Sequence, residues 1–191
     1  MFAYKKKYFL IIESIKDIDF KNLKKRNKFL IIYRNHKTKE NLYELMRFRK
    51  HCKLQLIDFY VANNIKLATA LNSDGIYISS FNKSFKALHL KKLGYKIIGS
   101  AHNISEISHK IKQSCDYILF SKLFKVDYDK SSSILGVIKF NKYINTITKL
   151  LVPLGGIKIN NLNSLRSINS NYFSLLSEVK KKPAKIFSRL F

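Results

Sequence analysis

The sequence predicts a (β/α)8 barrel with short helices, and three observations support this fold class. Eight short apolar runs recur along the 191 residues, and each suits a buried strand. Stretches with apolar residues at helical spacing separate the runs, which is the pattern of parallel βα units. The chain contains 2 Pro and 6 Gly, and no Pro-rich or Gly-rich linker divides it. We therefore predict one domain over residues 1–191, a TIM barrel slightly below the usual length.

The stretch 67–80 shows the repeating unit most clearly. A helical pattern leads into Asp74 and Gly75, and an apolar strand at 76–78 then stops at Ser79. We interpret Asp-Gly here as a structural turn that feeds the strand. The predicted strands lie at 8–12, 28–33, 59–62, 76–78, 96–98, 117–120, 150–154 and 172–173.

The predicted helices alternate with these strands. The clearest begins at Asn103, a favourable N-cap, with Glu106 at the third helical position as in a capping box. Thr38 is a second candidate N-cap, ahead of an apolar helical period. The predicted helical stretches lie at 15–23, 38–49, 65–71, 84–93, 103–111, 134–147 (in part), 160–168 and from 175 onward.

A doubly wound open sheet is the alternative architecture. It requires that the first and eighth runs, at 8–12 and 172–173, are not strands of the same sheet. The barrel accommodates all eight runs, and we favour it for that reason.

The charge of the chain limits the classes of ligand. Lys and Arg number 37 against 12 Asp and Glu, which gives a formal net charge of +25. Such a charge favours anionic ligands, and a nucleic-acid partner is one interpretation. The basic residues are nevertheless spread along the chain in short runs, without an Arg-rich arm or an RNA-recognition aromatic motif. We therefore favour small phosphorylated ligands over nucleic acid.

The hydrophobic runs are too short to cross a membrane. The run at 8–12 is far below the roughly 20 residues that a membrane span needs, and no small-residue cleavage site follows it. Cys52 and Cys115 lack metal-ligand spacing and suit free thiols in a reducing compartment. We expect a cytoplasmic protein.

The residues that follow the predicted strands share one chemistry. In a barrel the carboxyl ends of the strands form one face, where ligands bind. Small, amide, hydroxyl or basic side chains follow the strands here, namely Arg34 to Lys37, Asn63, Asn64, Ser79, Ser80, Asn82, Lys83, Ser100, His102, Ser121, Lys122, Gly155, Gly156 and Ser174. Asp58, Asp74 and Asp116 instead precede strands. The sequence thus predicts an anion-binding mouth, with Gly155 and Gly156 as a phosphate cradle after the seventh strand.

Four motifs in order resemble the thiamine-phosphate synthase family, which includes the thiazole tautomerases. Segment 73–80 (SDGIYISS) resembles the family's Ala-Asp-Gly-Val-His-Leu-Gly-Gln, and 99–102 (GSAH) resembles Gly-x-Ser-x-His with one residue fewer. Segment 116–121 (DYILFS) resembles Asp-Tyr-Val-x-Phe-Gly, and 153–157 (PLGGI) resembles Ala-Ile-Gly-Gly-Ile. The resemblance implies a (β/α)8 barrel and a role in thiamine biosynthesis.

The chain departs from the family where the family binds its metal. The resemblance implies metal-binding carboxylates at the positions of Asn63 and Asn82, so the chain has no metal ligands of the family type there. Mg²⁺ is the cofactor that the resemblance implies, but it normally needs one or two carboxylates besides its phosphates. We therefore expect only a weak dependence on Mg²⁺. The family's Gln-Leu-Arg-x-Lys segment keeps its Arg as Arg34 and loses its Gln.

The activity that the resemblance implies is that of a transferase. It would join hydroxymethylpyrimidine pyrophosphate to thiazole phosphate with departure of pyrophosphate, whose developing charge needs electrostatic stabilisation. The residues expected to bind substrate or phosphate are Arg34, Lys37, Asn63, Asn64, Asn82, Lys83, Gly155, Gly156 and Ser174. The expected catalytic residues are Ser100, His102, Lys122 and Lys130. With the two carboxylates replaced, we expect basic side chains to take a larger share of the charge.

Two other functions stay open. Loss of the family's Gly-Gln pair at Ser79 and Ser80 is similar to the tautomerase branch, although the His of that branch falls at Lys122. A tautomerase or a non-catalytic thiazole-phosphate-binding protein is therefore the first alternative. A basic nucleic-acid-associated protein on a barrel scaffold is the second. The expected partners are the two phosphorylated substrates, without a membrane, and the sequence is compatible with a homo-oligomer.

Overall fold

Eight parallel strands form a barrel. The computed structural model describes residues 7–23, 26–35, 40–126, 133–148 and 150–176. The strands are β1 (Lys7–Ile12), β2 (Phe29–Tyr33), β3 (Asp58–Ala62), β4 (Gly75–Ile78), β5 (Lys96–Ala101), β6 (Tyr117–Phe120), β7 (Leu151–Pro153) and β8 (Tyr172–Leu175). Their order is β7-β6-β5-β4-β3-β2-β1-β8, so β8 returns to pair with β1. The predicted barrel is confirmed. The open-sheet alternative is wrong, because the runs at 8–12 and 172–173 are both strands of the one eight-stranded sheet.

The two ends of the sheet, β7 and β8, lie in contact and nearly close the barrel. The Ser170 hydroxyl, just before β8, donates to the carbonyl oxygen of Leu151 at the start of β7 (3.1 Å). A side chain thus joins the two strands that the backbone ladder does not connect.

Short helices connect the strands. They are α1 (Leu42–Leu54), α2 (Ile65–Ala70), α3 (Leu88–Lys92), α4 (Ile104–Lys112) and α5 (Gly136–Thr146), together with 3-10 helices at Ile15–Asp17, Phe20–Asn22, Arg26–Lys28 and Ile159–Ser167. The predicted cap of α4 is confirmed, since the Asn103 side chain accepts from the Glu106 N–H (2.9 Å). The cap of α1 is Asn41. The predicted cap Thr38 lies outside the described residues, as does any helix after 176.

Three predicted helices are wrong in length or type. The stretch 15–23 forms separate 3-10 turns, and 159–167 is also 3-10. Within 84–93 only Leu88–Lys92 is helical. Ahead of it, the Ser84 N–H donates to the Asn82 side chain (3.0 Å), and the Lys86 N–H donates to the Ser84 hydroxyl (3.2 Å). These local side-chain acceptors compete with helical hydrogen bonds and delay the helix.

Side chains fill the interior of the barrel. The buried residues of this inner cluster are Phe9, Ile11, Leu30, Ile32, Tyr60, Tyr77, Ile98, Leu119 and Val152. They alternate along the strands with residues that pack against the helices, as the two-residue period of a strand requires. At the amino-terminal end, the rings of Phe9 and Tyr117 meet edge to face (5.3 Å between centroids). A ligand can therefore reach the chain at the ends of the barrel and not through it.

Aspartates lie at the amino-terminal end of the barrel, where the sequence places them ahead of the strands. Asp74 accepts from the Phe59 N–H of β3 (2.7 Å) and from Arg49 of α1 (2.9 Å). Asp116 accepts in the same way from the Ile97 N–H of β5 (2.8 Å). Each carboxylate thus satisfies the N–H of the second residue of a neighbouring strand. The acids stabilise the barrel far from the carboxyl ends of the strands.

The two cysteines are free and buried. Desolvation by burial raises the pKa of both Cys52 and Cys115 to about 12. Among the described residues no helix is long and apolar enough to span a membrane.

We predict that Asp74→Ala destabilises the fold by about 2 kcal/mol, because it leaves the Phe59 N–H and the Nη2 of the buried Arg49 without their acceptor, although the Arg49 Nε still donates to the Asn72 carbonyl. Chemical denaturation followed by far-UV circular dichroism measures this change. Glu44→Ala, an exposed acid in the first turn of α1, is the matched control and should cost no more than about 0.5 kcal/mol. Equal losses in the two variants would contradict the structural role of Asp74.

Candidate functional site

Three buried serines form the polar floor of the mouth at the carboxyl end of the barrel. Ser79, Ser100 and Ser121 each stand two positions beyond an inward-facing residue of β4, β5 or β6. Strand alternation therefore turns all three toward the barrel axis. Ser100 is a predicted catalytic residue, whereas Ser79 and Ser121 are predicted only as residues of the mouth, without a catalytic or binding role of their own. The two-residue step from the apolar interior is the signal that groups the three. We call these three residues the serine floor.

Arg34 lies on the β2 side of the mouth. Its N–H donates to the Ile12 carbonyl (2.8 Å), which continues the ladder between β1 and β2 by one residue. Alternation after Leu30 and Ile32 turns its side chain toward the mouth. The Arg34 Nε is buried and has no hydrogen-bond partner in the described part of the chain. A buried, unpaired guanidinium N–H is unfavourable, and an anion bound in the mouth would satisfy it.

Glu40 joins the loop after β1 to the end of β2, next to Arg34. Its carboxylate accepts from the Ser14 hydroxyl (2.6 Å) and the Ile15 N–H (2.9 Å) after β1, and from the Tyr33 hydroxyl at the end of β2. Burial, followed by the hydrogen bond to Glu40, raises the pKa of Tyr33 to about 12, so the phenol remains a donor. Glu40 is not among the predicted site residues. Its signal in the sequence is an isolated carboxylate in the Lys-rich stretch between Asp19 and Glu44.

Asn63 and Asn82 contact each other directly. The Asn63 Oδ1 accepts from the Ser79 N–H, from the Ser79 hydroxyl and from the Asn82 Nδ2, each at 3.1 Å. Asn63 adopts a left-handed backbone (φ +55°), which Asn tolerates better than most residues. The structure therefore brings together the two positions at which the family resemblance implies carboxylates.

This amide pair does not fit Mg²⁺. The Asn63 oxygen, which could act as a ligand, already accepts three hydrogen bonds, and Asn82 presents an N–H donor to the same point. Mg²⁺ needs a near-octahedral set of free oxygen ligands, usually with at least one carboxylate. No group of three His, Cys, Asp or Glu that could hold a metal occurs among the described residues.

His102 and Lys122 line the same cavity beside the serine floor. The His102 Nδ1 and the Ser121 hydroxyl are 2.8 Å apart, and the His102 N–H donates to Glu106 of α4 (2.7 Å). His102, Ser121 and Lys122 line one cavity of about 470 Å³ between α4 and α5. The structure thus brings predicted residues from β5 and β6 into one place.

The Gly155-Gly156 turn after β7 packs on the loop after β6. Both glycines have positive φ (+92° and +68°). A Cβ on Gly156 would lie 2.4 Å from the Phe124 carbonyl oxygen, and one on Gly155 would lie 3.2 Å from the Lys122 Cα. The Phe124 N–H in turn donates to the Gly155 carbonyl (3.0 Å). Glycine is required here for contact between two loops, a requirement that the local sequence does not reveal.

The N–H groups of Gly155 and Gly156 make no hydrogen bond within the part of the chain that the structure describes. Two consecutive unpaired N–H groups after a barrel strand are suited to bind a phosphate. The geometry is therefore compatible with the predicted cradle.

The remaining predicted residues are not assembled at the mouth. Ser174 lies within β8, which is longer than predicted, and its fully buried hydroxyl donates to the Phe9 carbonyl (3.3 Å). Asn64 caps α2 by accepting from the Leu67 N–H (2.9 Å). Lys83 lines a separate groove of about 460 Å³ on the outer side of the β4 loop. Lys37 and Lys130 lie outside the described residues.

Comparison with known proteins identifies the family. A family model described as thiamine monophosphate synthase matches residues 17–179. The chain belongs to this family. It is 34% identical to the thiamine-phosphate synthase of Prochlorococcus marinus (strain AS9601) over an alignment of 146 residues that covers 73% of this chain and 40% of that protein. It is 28% identical to the thiamine-phosphate synthase of Bacillus cereus (strain B4264) over 141 residues, 70% of this chain and 64% of that protein.

The chain thus spans less than two thirds of the length of these thiamine-phosphate synthases. Among solved structures, thiamine phosphate pyrophosphorylase from Pyrococcus furiosus superposes with a TM-score of 0.75 at 16% identity, covering 98% of this chain and 94% of that one. The fold of this member of the thiamine monophosphate synthase family is therefore the one that its sequence motifs implied.

We predict that Gly156→Ala destabilises the protein by at least about 2 kcal/mol more than Gly136→Ala. Gly136 is a matched control, because it has the same φ of +68° but nothing within 4 Å of the methyl group that alanine would add. The control should lose about 1 kcal/mol from the left-handed backbone alone. Thermal and urea denaturation measure both values. Indistinguishable stabilities would show that the contact with Phe124 is not restrictive.

Proposed function

We propose that this chain is a divergent thiamine-phosphate synthase, which joins hydroxymethylpyrimidine pyrophosphate to thiazole phosphate and releases pyrophosphate. The observation that carries the proposal is the buried, unpaired Nε of Arg34 at the mouth of the barrel. Membership of the thiamine monophosphate synthase family supports the choice of substrates.

The reaction requires stabilisation of a leaving group. The bond between the pyrimidine's methylene carbon and the pyrophosphate oxygen breaks, both electrons go to the oxygen, and a thiazole nitrogen bonds to the carbon. Negative charge therefore grows on the pyrophosphate, where preorganised donors lower the barrier. In the proposed site Arg34 faces this charge, and Lys37 and Lys130 are the further basic residues proposed to contribute. Lys83 is left out of the proposed site, because it lines the separate groove beside the β4 loop. The thiazole phosphate binds at the N–H groups of Gly155 and Gly156.

The remaining polar groups lie between these two subsites in the proposal. Ser100 and His102 come from β5 and the residue after it, and Lys122 follows β6. We propose that their donors orient the substrates and bridge the two phosphate groups. Asn63 and Asn82 shape the mouth through their mutual hydrogen bond and do not act as metal ligands.

A second candidate function is supported by this same amide pair. A tautomerase or a thiazole-phosphate-binding protein handles a monophosphate alone, and it does not need the charge that a pyrophosphate–metal complex requires. Replacement of both expected carboxylates by amides is compatible with such a reduced site. Titration of the two substrates one at a time separates the candidates, because this alternative binds thiazole phosphate without the pyrimidine pyrophosphate.

We expect the purified protein to form thiamine phosphate from the two substrates, and Arg34→Met to lower the rate by about 100-fold through loss of a charge-assisted contact. Product formation followed by chromatography measures the rate, and calorimetry measures the affinity for each substrate. Arg47→Met, an exposed arginine on α1 stacked on Tyr43, is the control and should keep full activity. An inactive wild-type protein that binds only thiazole phosphate would move the assignment to the second candidate.

We also expect the reaction to depend weakly on Mg²⁺ and to keep most of its rate in EDTA. In the double variant Asn63→Asp plus Asn82→Asp, two carboxylates would face each other across a hydrogen-bond distance. Their repulsion is relieved by a divalent cation, so this variant should become dependent on Mg²⁺. Rates with EDTA and with millimolar Mg²⁺ test both statements. A wild-type enzyme that is dead in EDTA and restored by Mg²⁺ would overturn them.

A further inference from the structure

Lys110 is a fully buried lysine that lies outside the predicted site. It belongs to α4, and its side chain is 0% exposed. Its ammonium donates to the carbonyl oxygens of Ser79 (2.8 Å) and Asn82 (2.8 Å), and to the Gln113 side chain (2.9 Å). A lysine is almost never fully buried unless its ammonium is paired or hydrogen-bonded. Here the three donors of one ammonium meet three acceptors.

Gln113 extends the same contact along the loop after β4. It stands one helical turn beyond Lys110 and is also buried. Its amide donates to the carbonyls of Asn82 (3.1 Å) and Ser84 (2.8 Å). Together the two side chains hold the backbone of residues 79–84, which we call the β4 loop.

Gly99 in β5 makes room for Lys110. A Cβ on Gly99 would lie 2.9 Å from the Cδ of Lys110 and 2.8 Å from the Sγ of Cys115. The lysine stem therefore crosses directly over the strand backbone on its way from α4 to the β4 loop. Any larger residue at position 99 would collide with the Lys110 side chain, so the buried position of Lys110 depends on glycine in β5.

The ammonium of Lys110 is bonded to no carboxylate of the described residues. Its acceptors are two carbonyls and one amide, all neutral. Desolvation by burial lowers its pKa, while Cys115 and then Glu106 oppose this shift. A positive charge bonded to the backbone of Asn82 disfavours a divalent cation at that loop and favours an anion.

We propose that Lys110 is a positioning residue: it holds the β4 loop so that Ser79 and Asn82 meet Asn63, and it supplies buried positive charge beneath the mouth. Its effect on ligand binding rests on the proposed function, whereas its effect on the loop does not. Asn82 and Ser79 are the two residues whose carbonyls it binds and whose side chains meet at Asn63. Lys110 therefore acts on the mouth through the backbone of the loop.

Hydrogen exchange tests the effect on the loop. Three loop amides have local acceptors: Ser79 N–H donates to Asn63, Asn82 N–H to Ser79, and Ser84 N–H to Asn82. In Lys110→Met we expect these amides to exchange at least about 10-fold faster, while the amides of β1 keep their protection. Lys112→Met, an exposed lysine on the same helix, should change neither set. Unchanged loop exchange, or a uniform loss across the barrel, overturns the proposal.

A binding cycle tests the effect on the mouth. With inorganic pyrophosphate as the probe, Lys110→Met and Asn82→Ala should each weaken binding by about 10-fold, and the double variant should be little worse than either. Multiplied losses would show that Lys110 does not act through the Asn82 loop. Gln113→Met leaves both Lys110–carbonyl hydrogen bonds in place, so it should raise loop exchange and weaken pyrophosphate binding in the same direction but by less. It replaces Lys110→Met in both experiments if that variant folds poorly. If the wild-type protein does not bind pyrophosphate, the proposed function fails, and the exchange measurement still decides the role of Lys110.

Discussion

Burial of eight parallel strands on both faces is the constraint on which the rest of this structure depends. Side chains alternate between the barrel axis and the helix layer, so each strand contributes one apolar series to each core. Large residues such as Phe9, Tyr60 and Tyr77 fill the interior. On β2, β4, β5 and β6 the same alternation then turns the next inward-facing residue into the mouth. The serine floor and Arg34 are therefore a direct consequence of how the core is packed.

The two ends of the barrel differ in electrostatics. At the amino-terminal end, Asp74 and Asp116 accept from N–H groups near the starts of β3 and β5 and pair with the cations Arg49 and Lys91. The mouth instead presents hydroxyls, amides, unpaired glycine N–H groups and Arg34, with Lys110 beneath the β4 loop. The Asp74 and Asp116 carboxylates stabilise strand starts, and the Glu40 carboxylate near the mouth is already bonded to Ser14, Ile15 and Tyr33. This arrangement suits an anion at the mouth and disfavours a cation there.

Most of the fold could be predicted, because it depends on local patterns. All eight apolar runs are strands, with bounds shifted by a few residues. Helix bounds were less predictable where side chains compete for the backbone, as at Ser84 ahead of α3. The site could be predicted in part. Arg34, Ser100 and His102 lie at the mouth, but Ser174 does not, because β8 continues past it and buries it.

The sequence by itself determined the order of strands, the family motifs and the replacement of two expected carboxylates by Asn63 and Asn82. Only the tertiary structure decided that these amides bond to each other, and that Lys110 and Glu40 hold the loops around them. The physical reason is the separation of the contacting residues along the sequence. A helical or strand period depends on neighbouring residues, whereas Asn82 and Asn63 are 19 positions apart and Lys110 and Ser79 are 31 positions apart. Such contacts depend on strand register and helix rotation, which are set when the barrel closes.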